Sequence, residues 1–458
     1  MQTNLIPFRQ PMPKSLPIVP LSRPVSGAVT LPGSKSITNR ALVLAAMAEG
    51  TTRLENALFS EDTLIMVQAL KDLGFAVRDD EASATIEVEG QGGVIPVKKA
   101  DLHVGNAGTA ARFLTALCSV ASRGRYRLDG VPQMRHRPMG GLLTALRRLG
   151  VRITASESDS FPIEIETRGL RGGDITIDAQ ASSQMLSALL LVAPLARDDL
   201  HIRLERETVS RPFVNMTEAM MHQFGQPFYQ TKLKDAFAVT AGSPYRPLPS
   251  GVYQVEGDAT AASYFLALPT AVGGEVLVRD MRFSGLQGDI DFAEVLAATG
   301  TVIEANPEGL WARRPSGAPR PKGVERDFTA ISDTFLTLAA VAPLLDGPTR
   351  ISGIAHTRKQ ETDRVHAMSF ELRKLGQGVR ETEDTLEIHP APLVPDMEIT
   401  TYNDHRVAMS FAILGSHDLR GDGKPWLTIK DPACCAKTFP HFFEVLKELR
   451  GGKRVASG

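Results

Sequence analysis

The chain has 458 residues, more than one ordinary domain holds, with 43% hydrophobic and 22% charged residues. This composition excludes a disordered, collagen-like or coiled-coil protein. The 51 basic and 52 acidic residues nearly cancel, so no nucleic-acid partner is expected, and an anionic ligand has to be held by a local cluster of cations.

The cysteines and the first residues bear on the compartment. Cys118, Cys434 and Cys435 form neither a CxxC pair nor an even extracellular set. The first 20 residues hold five prolines and no apolar stretch typical of a secretory signal, and no run of 18 apolar residues occurs. The sequence therefore predicts a cytoplasmic protein without a membrane span, and we expect a monomer.

One phrase recurs along the whole chain. A helical apolar stretch that ends in Leu-x-x-x-Gly, or a close variant, is followed by a strand at intervals of 75 or 76 residues. So regular a period indicates six copies of one structural unit. The glycines that end the phrase are Gly74, Gly150, Gly225, Gly300, Gly376 and Gly451.

A second phrase runs in step with the first, and it reads as a buried helix because it is rich in Ala, Leu and Met. Short β-branched or alternating runs such as TTRLENA and TIEVEG predict strands between the helices. Six α/β or α+β modules therefore follow, most economically as two groups of three, each with buried helices wrapped by sheets. The second phrase begins at Gly33, Gly105, Ala181, Gly257, Ile331 and Asn403.

Proline and glycine mark where the chain divides. The segment Ala241–Gly251 between copies three and four holds three prolines, and Ser22–Ser36 precedes copy one. Both predict connections between the two halves. The Pro- and Arg-rich stretch Asn306–Lys322 lies inside copy four and is predicted to be a surface hairpin insertion.

The starts of the second-phrase helices carry residues that capping does not explain. Ser, Thr, Asp and Asn are ordinary caps, whereas Lys, Arg and His are not. A helix start exposes unpaired N–H groups and small residues let an anion approach, so starts gathered by rotation would build an anion cleft. Plain caps are the alternative. The residues are Lys35, Ser36, Arg40, Gly105, Gly108, Thr109, Arg112, Ser182, Ser183, Gln184, Asp333, Asp404, His405 and Arg406.

Further cations lie in loops with turn chemistry. An arginine before a proline is extended, which suits a bidentate clamp on phosphate or carboxylate. In ETDR, Glu361, Asp363 and Arg364 crowd one turn, and a surface salt bridge is the alternative interpretation. The loop cations are Arg135, Arg137, Arg211, Arg358, Lys359, Arg364 and Lys437.

Eight motifs occur in order from about Leu31 to Phe443: GSKSITNRAL, GNAGTAAR, RPMG, ASSQMLSALL, EGDATAASYF, QETDR, YNDHRVAM and AKTFP. Together they closely resemble the 5-enolpyruvylshikimate-3-phosphate synthase family of enolpyruvyl transferases. The resemblance implies an α/β fold, the inverse α/β barrel, with two domains of three βαβαββ units each. It implies residues 34–253 in one domain, residues 1–33 and 254–458 in the other, and chain crossings near 33 and 253.

The implied reaction transfers the enolpyruvyl group of phosphoenolpyruvate to the 5-hydroxyl of shikimate 3-phosphate. It releases phosphate by addition and elimination through a tetrahedral intermediate, with no metal and no cofactor. Both substrates are polyanions, so several cations have to converge, and the addition needs a paired acid and base. Glyphosate, which competes with phosphoenolpyruvate in this family, is the expected inhibitor.

The resemblance also implies residue roles. Lys35 matches a lysine that touches phosphoenolpyruvate and relays protons, Asp333 the acceptor of the 5-hydroxyl proton, and Glu361 the carboxylate near the methylene carbon. The alternatives are a helix cap for Asp333 and a surface partner of Arg364 for Glu361. The implied shikimate 3-phosphate contacts are Lys35, Ser36, Arg40, Ser182, Ser183, Gln184, Ser210, Asp333 and Gln360. Those to phosphoenolpyruvate are Lys35, Gly108, Arg137, Gln184, Arg364, Arg406 and Lys437.

Four positions depart from the family pattern. Gln360 replaces a frequent lysine, so a positive charge there depends on Lys359 bending inward. Phe213 replaces a tyrosine, and His356 an asparagine. Phe113 stands where proline is common in what we predict to be a first helical turn, and we expect altered glyphosate sensitivity.

Two rival functions stay open. A UDP-N-acetylglucosamine enolpyruvyl transferase shares the chemistry but typically has a loop cysteine, whereas the loop GVPQMRHRPMGG has none. A non-catalytic phosphosugar-binding protein would need the cations but not both carboxylates. His405 follows Asp404, and a positioning role for Arg406 is favoured over metal binding because no other histidine stands at ligand spacing.

Overall fold

The structure, a computed structural model, describes residues 12–451 apart from residues 207, 227–228, 231–234, 243, 284 and 316. Residues 1–11 and 452–458, which belong to the predicted second domain, lie outside the described residues. The described helices are α1 (Lys35–Met47), α2 (Glu61–Asp72), α3 (Gly108–Ser119), α4 (Gly140–Arg148), α5 (Ser183–Val192), α6 (Arg211–Gln223), α7 (Ala259–Val272), α8 (Phe292–Thr299), α9 (Phe335–Val341), α10 (Arg364–Lys374), α11 (His405–Gly415) and α12 (Phe442–Arg450).

Strands alternate with these helices along the chain. They are β1 (Ser15–Pro17), β2 (Val25–Val29), β3 (Glu49–Glu55), β4 (Ala76–Asp80), β5 (Thr85–Gln91), β6 (Lys99–His103), β7 (Gly124–Asp129), β8 (Arg152–Thr154), β9 (Ile163–Thr167), β10 (Gly173–Ile177), β11 (Leu200–Leu204), β12 (Tyr229–Gln230), β13 (Ala236–Val239), β14 (Val252–Gln254), β15 (Gly274–Arg279), β16 (Val302–Asn306), β17 (Gly309–Arg314), β18 (Glu325–Asp327), β19 (Thr349–Ser352), β20 (Gly378–Glu381), β21 (Leu386–His389), β22 (Met397–Ile399) and β23 (Leu427–Lys430).

The described strands form six sheets with one repeated topology. Five sheets have four strands and one has three, and their orders are β14-β3-β5-β4, β6-β7-β9-β8, β10-β11-β13-β12, β16-β17-β15-β2, β18-β19-β21-β20 and β1-β23-β22. Each sheet contains one parallel pair, and its other pairs are antiparallel. This repetition agrees with the six units that the 75-residue spacing predicts.

Three sheets are completed by strands from distant parts of the chain. β14, which follows the third unit, pairs with β3 of the first, and β2 pairs with β15 of the fourth. β1 pairs with β23, so an N-terminal segment supplies a strand that the last unit lacks. These pairings support the division near residues 33 and 253, which we propose as the domain boundary. There Gly33 and Gly257 form an antiparallel bridge.

Buried apolar side chains form two separate clusters, one for each domain. The first contains residues of α1, α3 and α5, and the second contains residues of α7, α9 and α11. Every residue of α3 is buried, as the apolar composition of the second phrase predicts. Burial of each large aliphatic side chain contributes about 1.5–3 kcal/mol, so these central helices anchor the two cores.

The recurring glycines lie directly after the outer helices α2, α4, α6, α8, α10 and α12. Five of the six have a φ between +79° and +97°, the left-handed conformation in which helices commonly end. Gly451 differs, with φ −76°, in the copy that the sequence shows to be weakest. The repeat signal is therefore largely a helix-termination signal.

The stretch Asn306–Lys322 does contain part of a hairpin, formed by β16 and β17, but the prediction that it is a surface insertion is wrong. β17 pairs with β16 on one side and with β15 on the other, so it is an inner strand of the fourth sheet. Trp311 and Arg313 alternate with buried Leu310 and Ala312, because successive side chains of a strand point to opposite faces. The Pro- and Arg-rich composition of this stretch favoured an insertion, although it contains β17, a regular strand of the unit.

Candidate active site

One pocket lies where the starts of α1, α3, α5 and α6 meet the second domain. All nine residues predicted to contact shikimate 3-phosphate line it: Lys35, Ser36, Arg40, Ser182, Ser183, Gln184, Ser210, Asp333 and Gln360. Arg137, from the phosphoenolpyruvate set, lines it as well. The helix starts thus gather in one place, as the sequence predicts.

Asp333 lies in the second domain between two arginines. Its Oδ1 accepts from Arg364 Nη1 at 2.9 Å and its Oδ2 from Arg406 Nη2 at 2.7 Å. Burial alone raises the pKa of Asp333, but the charges of Arg406, Arg364 and Lys35 outweigh it and hold the pKa below its usual value. Asp333 is therefore an ionised carboxylate and more than a helix cap.

Glu361 faces cations from both domains. Its Oε2 accepts from Arg364 Nη2 at 2.8 Å, while Oε1 lies 3.6 Å from Arg137 Nη1 and 3.9 Å from Lys437 Nζ. Burial raises the pKa of Glu361, yet Arg364, Arg137 and Lys437 bring it well below the ordinary range. Only 7% of its side chain is exposed, so the surface salt bridge proposed as the alternative is wrong.

Two groups that contact Lys35 or Lys437 were not identified from the sequence. Asp62, in the first turn of α2, lies 3.5 Å from Lys35 Nζ and 3.1 Å from Lys437 Nζ. Lys437 also donates to the carbonyl oxygen of Asn106 at 2.7 Å. An acid in a first helical turn is ordinary dipole chemistry, and a carbonyl has no side-chain signal, so neither stands out in the sequence.

Two further residues form hydrogen bonds to side chains of the site, Gln184 and Arg364. Arg112 donates to Gln184 Oε1 and to the carbonyl of Pro138, both at 2.8 Å, and therefore orients Gln184 in the pocket. Asp404, which is fully buried, accepts from Arg364 Nε at 2.8 Å. Both belong to the polar helix starts, but neither is among the residues that the family resemblance assigned to a ligand.

Gly108 and Arg137 fit together closely. A Cβ at Gly108 would lie 2.7 Å from the guanidinium carbon of Arg137, so a side chain there would displace that arginine. Arg137 has φ −79° and ψ 142°, the extended conformation predicted from the following proline. The small residue and the directed arginine together shape this wall of the site.

Three of the loop cations pair elsewhere. Arg135 donates to Asp129 at 2.8 Å, Arg211 lies 3.5 Å from Glu218, and Arg358 contacts Asp363 at 2.8 Å. None of the three lines the pocket. Their carboxylate partners lie within the protein and away from the pocket lining, so the structure gives no support for a clamp at these three positions.

The positions that depart from the family pattern lie around the pocket. Phe113 is the sixth residue of α3, so the predicted first-turn position is wrong, and its ring lies 5.2 Å from the guanidinium carbon of Arg40. Phe213 lines the pocket. Gln360 Oε1 accepts from Arg364 Nη1, and Lys359 lines the pocket beside it.

His405 and the cysteines carry no visible chemistry. Both ring nitrogens of His405 are buried without a hydrogen bond, and burial brings its pKa well below the usual value. Cys118 lies buried in α3, where burial raises the pKa of its thiol. Among the described residues there is no cluster of His, Cys, Asp and Glu able to hold a metal ion. In the same part of the chain, every helix is too short or too polar to cross a membrane.

Solved structures share this fold. EPSP synthase from Acinetobacter baumannii matches with a TM-score of 0.77 and 25% identity, covering 95% of this chain and 98% of that one. The enolpyruvyl transferase NikO from Streptomyces tendae matches in fold with a TM-score of 0.71, 17% identity and coverage of 95% and 97%. Fold and site together define an enolpyruvyl-transferase-like protein.

Sequence comparison narrows this class. The family model described as EPSP synthase (3-phosphoshikimate 1-carboxyvinyltransferase) matches residues 20–446. A 3-phosphoshikimate 1-carboxyvinyltransferase of Opitutus terrae is 54% identical, covering 96% of this chain and 98% of the relative. Another from Nostoc punctiforme is 42% identical, with coverage of 94% and 97%. The chain belongs to the EPSP synthase family.

Proposed function

We propose that this protein transfers the enolpyruvyl group of phosphoenolpyruvate to the 5-hydroxyl of shikimate 3-phosphate and releases phosphate. The observation that carries the proposal is the sharing of Arg364 by Asp333 and Glu361 at a pocket lined by cations and hydroxyls from both domains. Family membership supports the same reaction.

The residues divide the work between anion binding and proton transfer. Serines at the starts of α5 and α6 offer hydroxyl groups to a phosphate, next to the positive dipole ends of both helices. Arg137, Arg364, Arg406 and Lys437 offer charge to the phosphate and carboxylate of the second substrate. Asp333 then accepts the hydroxyl proton, and Lys35 or Glu361 serves the methylene carbon.

Substrate binding also changes the two carboxylates. In the ligand-free site the arginines neutralise Asp333 and Glu361 and keep both pKa values low, which makes them weak bases. A substrate carboxylate or phosphate competes for the same guanidinium groups. This competition raises the pKa of Asp333 and Glu361 toward values suited to proton transfer while the substrate is bound.

A phosphate-release assay tests the proposal. The purified chain is incubated with phosphoenolpyruvate and either shikimate 3-phosphate or UDP-N-acetylglucosamine, and the product is identified by mass. Release only with shikimate 3-phosphate supports the proposal, whereas release only with the nucleotide sugar contradicts it. Calorimetric binding of shikimate 3-phosphate without turnover would instead favour a binding protein.

Three finer predictions accompany the proposal. Glyphosate inhibits competitively with phosphoenolpyruvate, because it would meet the same cations. If curves for the parent and Phe113→Pro superimpose, the predicted effect of Phe113 on glyphosate sensitivity is wrong. The monomeric state and the cytoplasmic location stay predictions.

A further inference from the structure

His356 lies at the edge of the pocket in the short 3-10 helix Ala355–Lys359, which precedes α10. Its Nε2 is 2.8 Å from Ser332 Oγ and 3.4 Å from Ser210 Oγ, and the two hydroxyls are 3.3 Å apart. Ser210 belongs to the first domain, whereas Ser332 and His356 belong to the second. An imidazole therefore joins a hydroxyl cluster that spans the two domains.

The same cluster borders the place where a phosphate fits best. Ser182 and Ser183 at the start of α5 line the pocket together with Ser210 at the start of α6. The hydroxyls of these serines and the positive dipole ends of the two helices favour a dianion. Because Ser210 Oγ lies 3.4 Å from His356 Nε2, a phosphate bound by these serines would lie within reach of the imidazole.

The charged groups on this side of the pocket are already hydrogen-bonded or exposed. Gln360 is neutral, and its Oε1 already accepts from Arg364. Arg40 directs Nε to Thr217 Oγ1 at 2.8 Å and Nη2 to the Phe213 carbonyl at 3.0 Å. Lys359 lines the pocket but is exposed to solvent. A dianion bound here would meet helix starts and hydroxyls, while Arg40 is already hydrogen-bonded and Lys359 is exposed.

We propose that His356 is a binding residue that takes up a proton from solvent when shikimate 3-phosphate enters and donates an Nε2–H hydrogen bond to its phosphate. This inference rests on the proposed function and assigns the imidazole the charge that Gln360 lacks. In the empty site Nε2 is hydrogen-bonded to the Ser332 hydroxyl. Once Nε2 carries the additional proton, that hydroxyl can rotate so that its oxygen faces Nε2–H.

The charged groups around His356 set the direction of the pH effect. Burial lowers the pKa of the empty-site imidazole, Asp333 and Asp384 raise it, and Arg364 lowers it. Lys359, next along the pocket wall, adds a further positive charge. The imidazole is thus neutral at neutral pH in the empty site, and a bound dianion raises its pKa.

The sign of the affinity change follows from this difference. Protonation favours binding, so affinity is highest at low pH and falls as pH rises through the pKa of the bound state. Ionisation of the ligand phosphate acts in the opposite direction, since the dianion dominates above about pH 6. The imidazole contribution is therefore separable from that of the ligand by removing the titrating ring.

The experiment measures the dissociation constant of shikimate 3-phosphate by calorimetry between pH 6 and 8 for the parent and His356→Asn. An asparagine keeps a hydrogen-bonding side chain but does not titrate. We expect the ratio of variant to parent dissociation constants to fall across this range by up to about tenfold, the limit for a one-unit pKa difference between free and bound states. His366→Asn, on the exposed face of α10, is the matched control and should follow the parent.

Proton uptake gives a second readout. Binding enthalpies at pH 7 in buffers of different ionisation enthalpy should show a net uptake of protons by the parent that His356→Asn lacks. Parallel pH profiles for the parent and His356→Asn, or net proton release by the parent, would overturn the inference. Turnover of the parent with both substrates is measured separately. Its absence would refute the proposed function, whereas turnover with parallel profiles would refute only the role of His356.

Discussion

At the scale of single residues, Asp333 is the group whose loss should affect the chemistry most. Asp333→Asn keeps the size of the side chain and an acceptor for one of the two arginines but removes the base. We expect kcat to fall about 10²–10⁴-fold, the usual contribution of a proton-transfer group, with substrate dissociation constants near those of the parent. Steady-state kinetics and calorimetry measure both quantities.

The control for this variant is Asp101→Asn on the exposed face of β6. It should turn over like the parent, because no predicted site residue lies on that strand. Parental turnover by Asp333→Asn would show that another group accepts the hydroxyl proton. An unfolding midpoint near that of the parent would confirm that a loss of activity is not a loss of fold.

Asp289 makes a prediction about stability. Its side chain is buried beside Thr260, whose hydroxyl donates to Oδ2, and burial followed by the charge of Asp333 raises its pKa to about 7. The unfolded chain ionises this acid near pH 3.9, so the native state binds the extra proton and its contribution to stability falls as pH rises from about 4 to 7.

Asp289→Asn removes this penalty. We expect the free energy of unfolding of the variant, relative to the parent, to increase between pH 4 and 7 by up to about 4 kcal/mol, at about 1.36 kcal/mol per pKa unit. Urea unfolding at several pH values measures the difference. A difference that does not change with pH would contradict the raised pKa.

At the scale of secondary-structure elements, the recurring glycines offer a matched pair of substitutions. Gly300 has φ +97° with no atom within 4 Å of an added Cβ, so Gly300→Ala tests backbone strain alone. We expect it to cost about 1–2 kcal/mol of unfolding free energy. Gly451→Ala, at φ −76°, should cost much less. Equal losses in thermal or urea unfolding would contradict this account of the repeat.

Much of the element order could be predicted because each unit repeats its own signals. Apolar runs predict the buried helices, and their polar starts indicate the pocket. β1 and β14 could not be predicted, since each has three residues and pairs with a strand far away in the sequence. The position of Phe113 was wrong because the polar phrase begins at Gly105, three residues before the helix itself.

At the scale of the whole molecule, the site depends on contacts that no local pattern contains. The family resemblance named the cations and the two carboxylates proposed as catalytic, but it did not name their partners Asp62 and the Asn106 carbonyl. Asp62 lies in α2, and the lysine it shares with Glu361 is Lys437, near the other end of the chain. Only the folded arrangement of the two domains brings these groups together.

Lys437 bridges the domains and should therefore govern phosphoenolpyruvate binding. Lys437→Ala removes a charged donor to the Asn106 carbonyl and leaves Asp62 and Glu361 less compensated. We expect the KM for phosphoenolpyruvate to rise about 10–100-fold, the equivalent of about 1.5–3 kcal/mol for a charged hydrogen bond. Lys447→Ala, on the exposed face of α12, serves as the control. Equal KM values for the two variants would contradict the assignment.

The same bridging contacts predict a change of shape. Ser210 of the first domain donates its N–H to the Thr329 carbonyl at 3.2 Å, and Lys437 of the second contacts Asn106. Ligand that occupies the pocket adds charge between the domains, so we expect the radius of gyration to decrease with shikimate 3-phosphate plus glyphosate. Small-angle scattering that shows no contraction would count against closure.

The strands β1 and β2 have a consequence for synthesis on the ribosome. β2 is synthesised about 250 residues before β15, its parallel partner. β1 is synthesised about 415 residues before its partner β23. At about 5–20 residues per second, these segments wait from about ten seconds to more than a minute for their neighbours. The proposed domain of residues 34–253 can meanwhile fold as a unit, so β1 and β2 are the strands exposed longest to chaperones and proteases.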